Sequence, residues 1–204
     1  MSDIILKDVR LSFPDLFKPG APMAGSLGGP KYGGQFIFAK GSEAYKTVVA
    51  EFARVAQEKF GPNWQTIVAS LAKDKKAVRD GNMNLAKDGT VRDGYADMMY
   101  VVARNKARPA IVDSKFVDGK PAPLEESGGK PYGGCFVNVK IELYAMDKPG
   151  QGKSINATLK AVQYLRDGQA FAGGPGTADG FEDVGGDVPE GEIANANAEA
   201  ASLF

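Results

Sequence analysis

The last 32 residues limit what this chain can fold into. From Gly173 to Phe204 there is no lysine or arginine, and Gly, Asp, Glu, Asn and Ala dominate. Such a stretch buries too little apolar surface to offset the entropy lost on ordering, so 173–204 reads as a disordered acidic tail. Only its end, Leu203 and Phe204, is apolar in character. A fold must come from residues 1–172, an ordinary length for one domain. At 43% hydrophobic residues overall, the chain has enough apolar material for one packed core.

The tail also divides the charge. The chain has 25 basic and 25 acidic residues, a formal net charge of zero. All 25 basic residues and 18 acidic ones lie in residues 1–172, which leaves +7 there and −7 in the tail. The tail acids are Asp179, Glu182, Asp183, Asp187, Glu190, Glu192 and Glu199. A cationic body with an anionic tail suggests a polyanion partner, and a tail that can compete for the same surface.

Several chemistries are excluded. The chain has no histidine, so a Ser-His-Asp triad, a Cys-His dyad and a His-ligated zinc are all ruled out. The single cysteine, Cys135, cannot form an internal disulfide and reads as a small buried hydrophobe. No apolar run approaches 18 residues, and the opening Met1-Ser2-Asp3-Ile4 is unlike a secretory signal. A cytoplasmic protein is expected. Asp80, Asp88, Asp93 and Asp97 are candidates for a Mg²⁺ nuclease cluster, but Asp beside Gly is also ordinary turn chemistry. No P-loop is present, because Gly28-Gly29-Pro30-Lys31 lacks the Gly-Lys-Ser/Thr ending. No cofactor and no catalysis are expected.

The body reads as strands with one helical insertion at about 42–72. Ile4–Phe13 alternates Val9, Leu11 and Phe13 with polar residues, and Pro14 and Pro19 are expected to end it. Residues 19–31 form a Gly/Pro loop. Gly34–Lys40 follows as a strand, with Phe36 and Phe38 on one face and Gln35 and Ile37 on the other. Ser42 is placed to cap a helix that runs to about Phe60 with Tyr45, Val48, Val49, Phe52, Val55 and Ala56 inward. Gly61-Pro62 stops it. Asn63 is expected to cap a shorter helix carrying Trp64, Ile67, Val68 and Leu71. Residues 73–97 read as a long loop or weak hairpin.

Further strands are expected at Met98–Arg104, Ala110–Val112, Cys135–Ala145 and Ser154–Leu165, the last two as a hairpin through Pro149-Gly150. Many strands without a βαβ rhythm predict a mainly β fold, an antiparallel barrel of the oligonucleotide-binding (OB) type. The helix falls after the second strand, whereas the simplest OB order places it after the third.

Basic residues interleaved with aromatics suggest single-stranded nucleic acid, since phosphates need reachable cations and unstacked bases need flat faces. The densest run is Tyr100 to Pro109, with Arg104, Lys106 and Arg108. Lys7, Arg10 and Lys140 complete the candidate phosphate contacts. Tyr32, Tyr100, Phe116 and Tyr132 are the candidate stacking residues. Lys73, Lys75, Lys76 and Arg79 form a second basic cluster that reads as solvated charge. Tyr-Gly-Gly recurs at Tyr32 and Tyr132, each at a strand entry. There a glycine pair serves either a barrel-corner kink or close backbone approach, or leaves the Tyr ring open as a platform. No helix offers a basic face for a duplex groove. A metal-dependent nucleic-acid enzyme and a protein-binding barrel are the alternative readings.

Ordered motifs carry a resemblance. Val9-Arg10-Leu11-Ser12-Phe13-Pro14-Asp15-Leu16-Phe17-Lys18-Pro19 and Pro30-Lys31-Tyr32 come first. Val91-Arg92-Asp93-Gly94, Arg108-Pro109-Ala110-Ile111-Val112-Asp113, Tyr132-Gly133-Gly134-Cys135 and Val162-Gln163-Tyr164-Leu165-Arg166-Asp167-Gly168 follow, with Asp-Gly-Phe in the tail. Together they resemble a phage-encoded single-stranded DNA-binding protein family. The resemblance implies an OB-type barrel that coats single-stranded DNA in phage replication or recombination, in the host cytoplasm, without catalysis. It also implies a tail, here Asp183, Asp187, Glu190, Glu192 and Phe204, that recruits replication or recombination proteins. Self-association is left open.

Overall fold

The computed structural model describes residues 2–22 and 28–171. The expected acidic tail, with Asp183, Asp187, Glu190, Glu192 and Phe204, lies outside the described residues.

Among the described residues eight strands form a single sheet: β1 Asp3–Gly20, β2 Lys31–Ala39, β3 Val78–Asp80, β4 Met98–Asn105, β5 Ala110–Val117, β6 Lys120–Pro123, β7 Phe136–Lys148 and β8 Gly152–Arg166. Five of them close a barrel. β1 pairs antiparallel with β2 and β7, β2 with β4, and β7 with β8. A parallel bridge between Arg104 of β4 and Thr158 of β8 shuts the ring. Antiparallel neighbours with one parallel closure are the topology of an OB barrel, and closure removes the exposed strand edges. β5 takes over the edge of β8 where β4 leaves it, and it pairs with the short β6.

The interior follows the alternation of the strands. Leu6, Val9, Leu11, Phe36, Phe38, Val101, Ala103, Val137, Val139, Ile141, Leu143, Ile155, Leu159 and Val162 share one core. Each large aliphatic among them contributes on the order of 1.5–3 kcal/mol by leaving water. Ser42 caps α1, Glu43–Phe60, by accepting a hydrogen bond from the Tyr45 amide at 3.2 Å. Helix α1 lays Ala44, Val48, Val55 and Ala56 on this core, with Tyr45 and Phe52 at its margin. The helix lies between the second and third barrel strands, as its place in the sequence required.

Four expectations are corrected. Pro14 and Pro19 do not end β1, which reaches Gly20. The ladder shifts register between Ser12 and Asp15 and again before Gly20, and at such irregularities a missing amide proton is tolerated. Val49 is exposed, because it falls off the α1 stripe. Asn63 makes no side-chain cap to α2, Trp64–Ser70; a turn of 3₁₀ helix over Gly61–Asn63 leads in instead. Residues 73–97 are neither a bare loop nor a simple hairpin. They supply β3 and an arm closed by a bridge between Leu85 and Val91.

Candidate nucleic-acid interface

Cross-strand register sorts the basic residues into two kinds. One row runs Arg166, Phe136, Arg10, Ile37, Tyr100, Arg79 across β8, β7, β1, β2, β4 and β3. Its arginines are already engaged. Arg166 pairs with Asp8 at 2.9 Å and stacks 3.7 Å from the Phe136 ring. Arg79 donates to the Lys76 carbonyl at 2.7 Å. Arg10 donates to the carbonyls of Gly134 at 3.2 Å and Gln169 at 2.7 Å, and lies 4.1 Å from the Phe171 ring. These contacts tie Arg10 of β1 to residues 134, 169 and 171 and leave it fewer free donors for a phosphate.

Four residues along β2 toward the β1–β2 connection, the row is Asp15, Gly33, Arg104 and Thr158. Arg104 is exposed here. A Cβ at Gly33 would stand 2.8 Å from the Ala103 carbonyl oxygen and 2.8 Å from Arg104 Cγ, so only glycine lets the arginine stem lie across β2. Asp15, Gly20, Ala21, Pro22, Gly29, Lys31 and Arg104 line a shallow polar recess. Partial burial raises the Asp15 carboxyl above its ordinary range, and the Arg104 charge opposes this.

Immediately beyond, the turn between β4 and β5 carries Lys106 and Arg108. It is fixed by Asn105, whose side chain donates to the Leu159 carbonyl at 2.9 Å and accepts from the Ala107 amide at 3.1 Å. Arg108 stands 5.5 Å from the Phe17 ring. Lys31, Arg104, Lys106 and Arg108 enter none of the ion pairs found among the described residues. Four cations without an ion pair among the described residues therefore share one rim of the barrel. Lys31 was not singled out from sequence as a contact, although it stands beside Tyr32 in the repeated Tyr-Gly-Gly motif.

The remaining candidates scatter. Lys7 is exposed at the register shift between Leu6 and Val9. Lys140 lies opposite Ile5, at the other end of β1 from Asp15, and pairs with Asp3 at 3.5 Å. Tyr32 is half-buried at the entry to β2, opposite Asn105. Phe116 is 62% exposed on the β5–β6 ribbon.

One stacking assignment is corrected. Tyr100 is 2% exposed and packs edge-on against Tyr95 with ring centroids 5.1 Å apart, so it offers no face to a base. Its strand register turns it under the 81–97 segment. The Tyr132 ring packs on the core, and its hydroxyl donates to the Gly168 carbonyl at 2.9 Å while accepting from the Gly168 amide. At the second glycine pair, a Cβ on Gly134 would meet the Gln169 carbonyl oxygen at 2.2 Å. Both Tyr-Gly-Gly motifs thus serve close approach of another chain segment.

Three of the four aspartates named in 80–97 are occupied locally. Asp80 accepts from the Asn82 amide at 2.9 Å, Asp88 from the Thr90 amide at 3.0 Å, and Asp97 from the Asn82 side chain at 3.3 Å. Among the described residues no three potential metal-ligating side chains converge. Cys135 is fully buried, and burial pushes its thiol up to about 11, far from a reactive thiolate. Among the described residues no helix is long and apolar enough to cross a membrane.

A family profile described as "Enterobacter phage Enc34, ssDNA-binding protein" matches residues 2–192. Protein p50 of Acyrthosiphon pisum secondary endosymbiont phage 1 is 35% identical over 175 residues, covering 84% of this chain and 87% of its own. The single-stranded DNA-binding protein of bacteriophage Enc34, solved in complex with ssDNA, superposes with a TM-score of 0.63 at 26% identity, over 83% of this chain and 89% of that one. The single-stranded DNA-binding protein gp2.5 of bacteriophage T7 shares the fold at 14% identity, with a TM-score of 0.51 over 92% of this chain and 99% of that one.

Proposed function

Because the chain belongs to the Enc34-type family of non-catalytic phage single-stranded DNA-binding proteins, we propose that it coats single-stranded DNA in phage replication or recombination, without sequence preference, in the host cytoplasm. The observation that carries the surface assignment is the rim of Lys31, Arg104, Lys106 and Arg108, four cations without an ion pair among the described residues. Phosphates take these cations, with Lys7 an outlying contact. Tyr32 and Phe116 offer rings to unstacked bases. Lys140, already paired with Asp3, is a weaker contact on the far part of β1.

The test is a polarisation titration of a labelled single strand in competition with duplex DNA and RNA, run with and without Mg²⁺. Single-stranded DNA is expected to bind best and to stay intact. Failure to bind any nucleic acid overturns the reading in favour of a protein-binding barrel, and cleavage in Mg²⁺ overturns it in favour of an enzyme.

The +7/−7 division of charge supports a second element. The acidic tail, including Asp183, Asp187, Glu190 and Glu192, competes with DNA for the cationic surface, and Phe204 serves as an apolar handle for replication partners. Removal of residues 173–204 is expected to tighten DNA binding, most at low salt, where screening is least. Equal affinity at low salt with and without the tail refutes the competition.

A further inference from the structure

Phe13 is held in an unusual way. It is an aromatic residue with φ +47°, in the left-handed region that L side chains rarely adopt, and it is 50% exposed. It sits at the register shift of β1, after Ser12 opposite Gln35 and before Asp15 opposite Gly33. An irregularity of this kind re-aims a side chain. Neither the core nor the β1–β2 ladder needs an exposed aromatic here. Strain retained at an exposed ring points to a surface role.

The surroundings say which role. Arg92 holds its guanidinium 5.3 Å from the Phe13 ring centroid. Like the rim cations, it enters no ion pair among the described residues. Its backbone amide donates to the Asn84 carbonyl at 3.0 Å, which closes the arm. That arm is clamped to the same ladder row as Ser12. The Asn84 side chain and the Tyr95 hydroxyl both donate to Gln35 Oε1, at 3.2 and 2.7 Å. The row two residues further along β2, about 7 Å away, is that of Gly33 and Arg104. An open aromatic face backed by a cation, one ladder step from a cluster of uncommitted cations, is what a nucleobase with its phosphate on the rim requires.

We propose that Phe13 is a base-stacking residue and that Arg92, by backing the ring, is its positioning residue. The proposal rests on the single-stranded DNA reading and names one subsite of it. Glycine adopts φ +47° without penalty, which makes Phe13→Gly an informative variant. Its melting temperature should hold or rise, while its affinity for a labelled oligothymidylate falls about 5- to 150-fold, the loss expected for one stacked base. The salt slope should not change, since no phosphate contact is removed.

Wild-type affinity in Phe13→Gly overturns the stacking role and leaves the DNA reading standing. A wild-type protein that binds no single strand overturns both. A second variant, Phe13→Trp, guards against misfolding of the first. Its added emission should be quenched by the oligonucleotide against the constant background of Trp64, and unquenched emission in a DNA-bound complex overturns the proposal.

Discussion

The double variant Arg104→Ala/Lys106→Ala tests the cationic rim quantitatively. Each phosphate neutralised on a single strand contributes a slope of about −0.7 in log affinity per log salt. Four contacts from Lys31, Arg104, Lys106 and Arg108 give about −2.8. Between 50 and 200 mM salt the rim alone should therefore cost about 50-fold in affinity, with the outlying Lys7 and Lys140 adding to it. The double variant keeps two of the rim contacts, so its slope should be shallower by about 1.4 and the rim's share of the loss about 7-fold over the same range. Both side chains are exposed and outside the core, so the melting temperature should change little. The assay is a polarisation titration at four or five salt concentrations, with circular dichroism as the control on folding. An unchanged slope in the double variant, at wild-type stability, would refute the assignment of phosphates to this rim.

Arg10→Ala should behave in the opposite way. Loss of the hydrogen bonds to Gly134 and Gln169 and of the contact with Phe171 should cost about 2–3 kcal/mol in urea unfolding, with the salt slope of DNA binding unaltered. Cys135 should be silent to a thiol reagent in the native protein and react only on unfolding, because it is buried and its thiol is raised to about 11. Glu51, buried on α1 and hydrogen-bonded by Arg54 at 2.7 and 2.8 Å, has its carboxyl held below the ordinary range, chiefly by that bond. A depressed carboxyl contributes stability that is fully present above its unfolded value, about 4.3, and lost as pH falls through the folded one. Glu51→Gln should accordingly flatten the acid limb of a stability–pH curve, and an identical limb would show that Glu51 contributes nothing there.

Much of the barrel was legible in the chain because strand alternation and helix caps are local. Phe36 and Phe38 turn inward as their spacing requires, and Ser42 and Gly61 bound α1. The end of β1 was not legible, because prolines announce a stop only where the ladder is regular. Here the shifts at Ser12/Asp15 and before Gly20 make room for them. β6 was not among the expected strands: it carries Pro121 and Pro123, yet on a short edge strand their missing donors cost no ladder bond.

The sequence alone determined the charge division at Gly173, the absence of histidine chemistry, and the Tyr100–Pro109 run that supplies three of the four rim cations. These are matters of composition and order, which folding does not alter. Tertiary structure decided which cations are uncommitted. Arg10 and Arg104 look alike in sequence, each alternating with apolar residues in a strand. Register sets Arg10 beside the carbonyls of Gly134 and Gln169, whereas Arg104 lies over Gly33 and is exposed. The same rule buried Tyr100 and left Phe13 exposed. A strand shows its two faces in the sequence, but which face meets solvent depends on segments that cross it from elsewhere in the chain. Here those segments are residues 81–97 and 168–171.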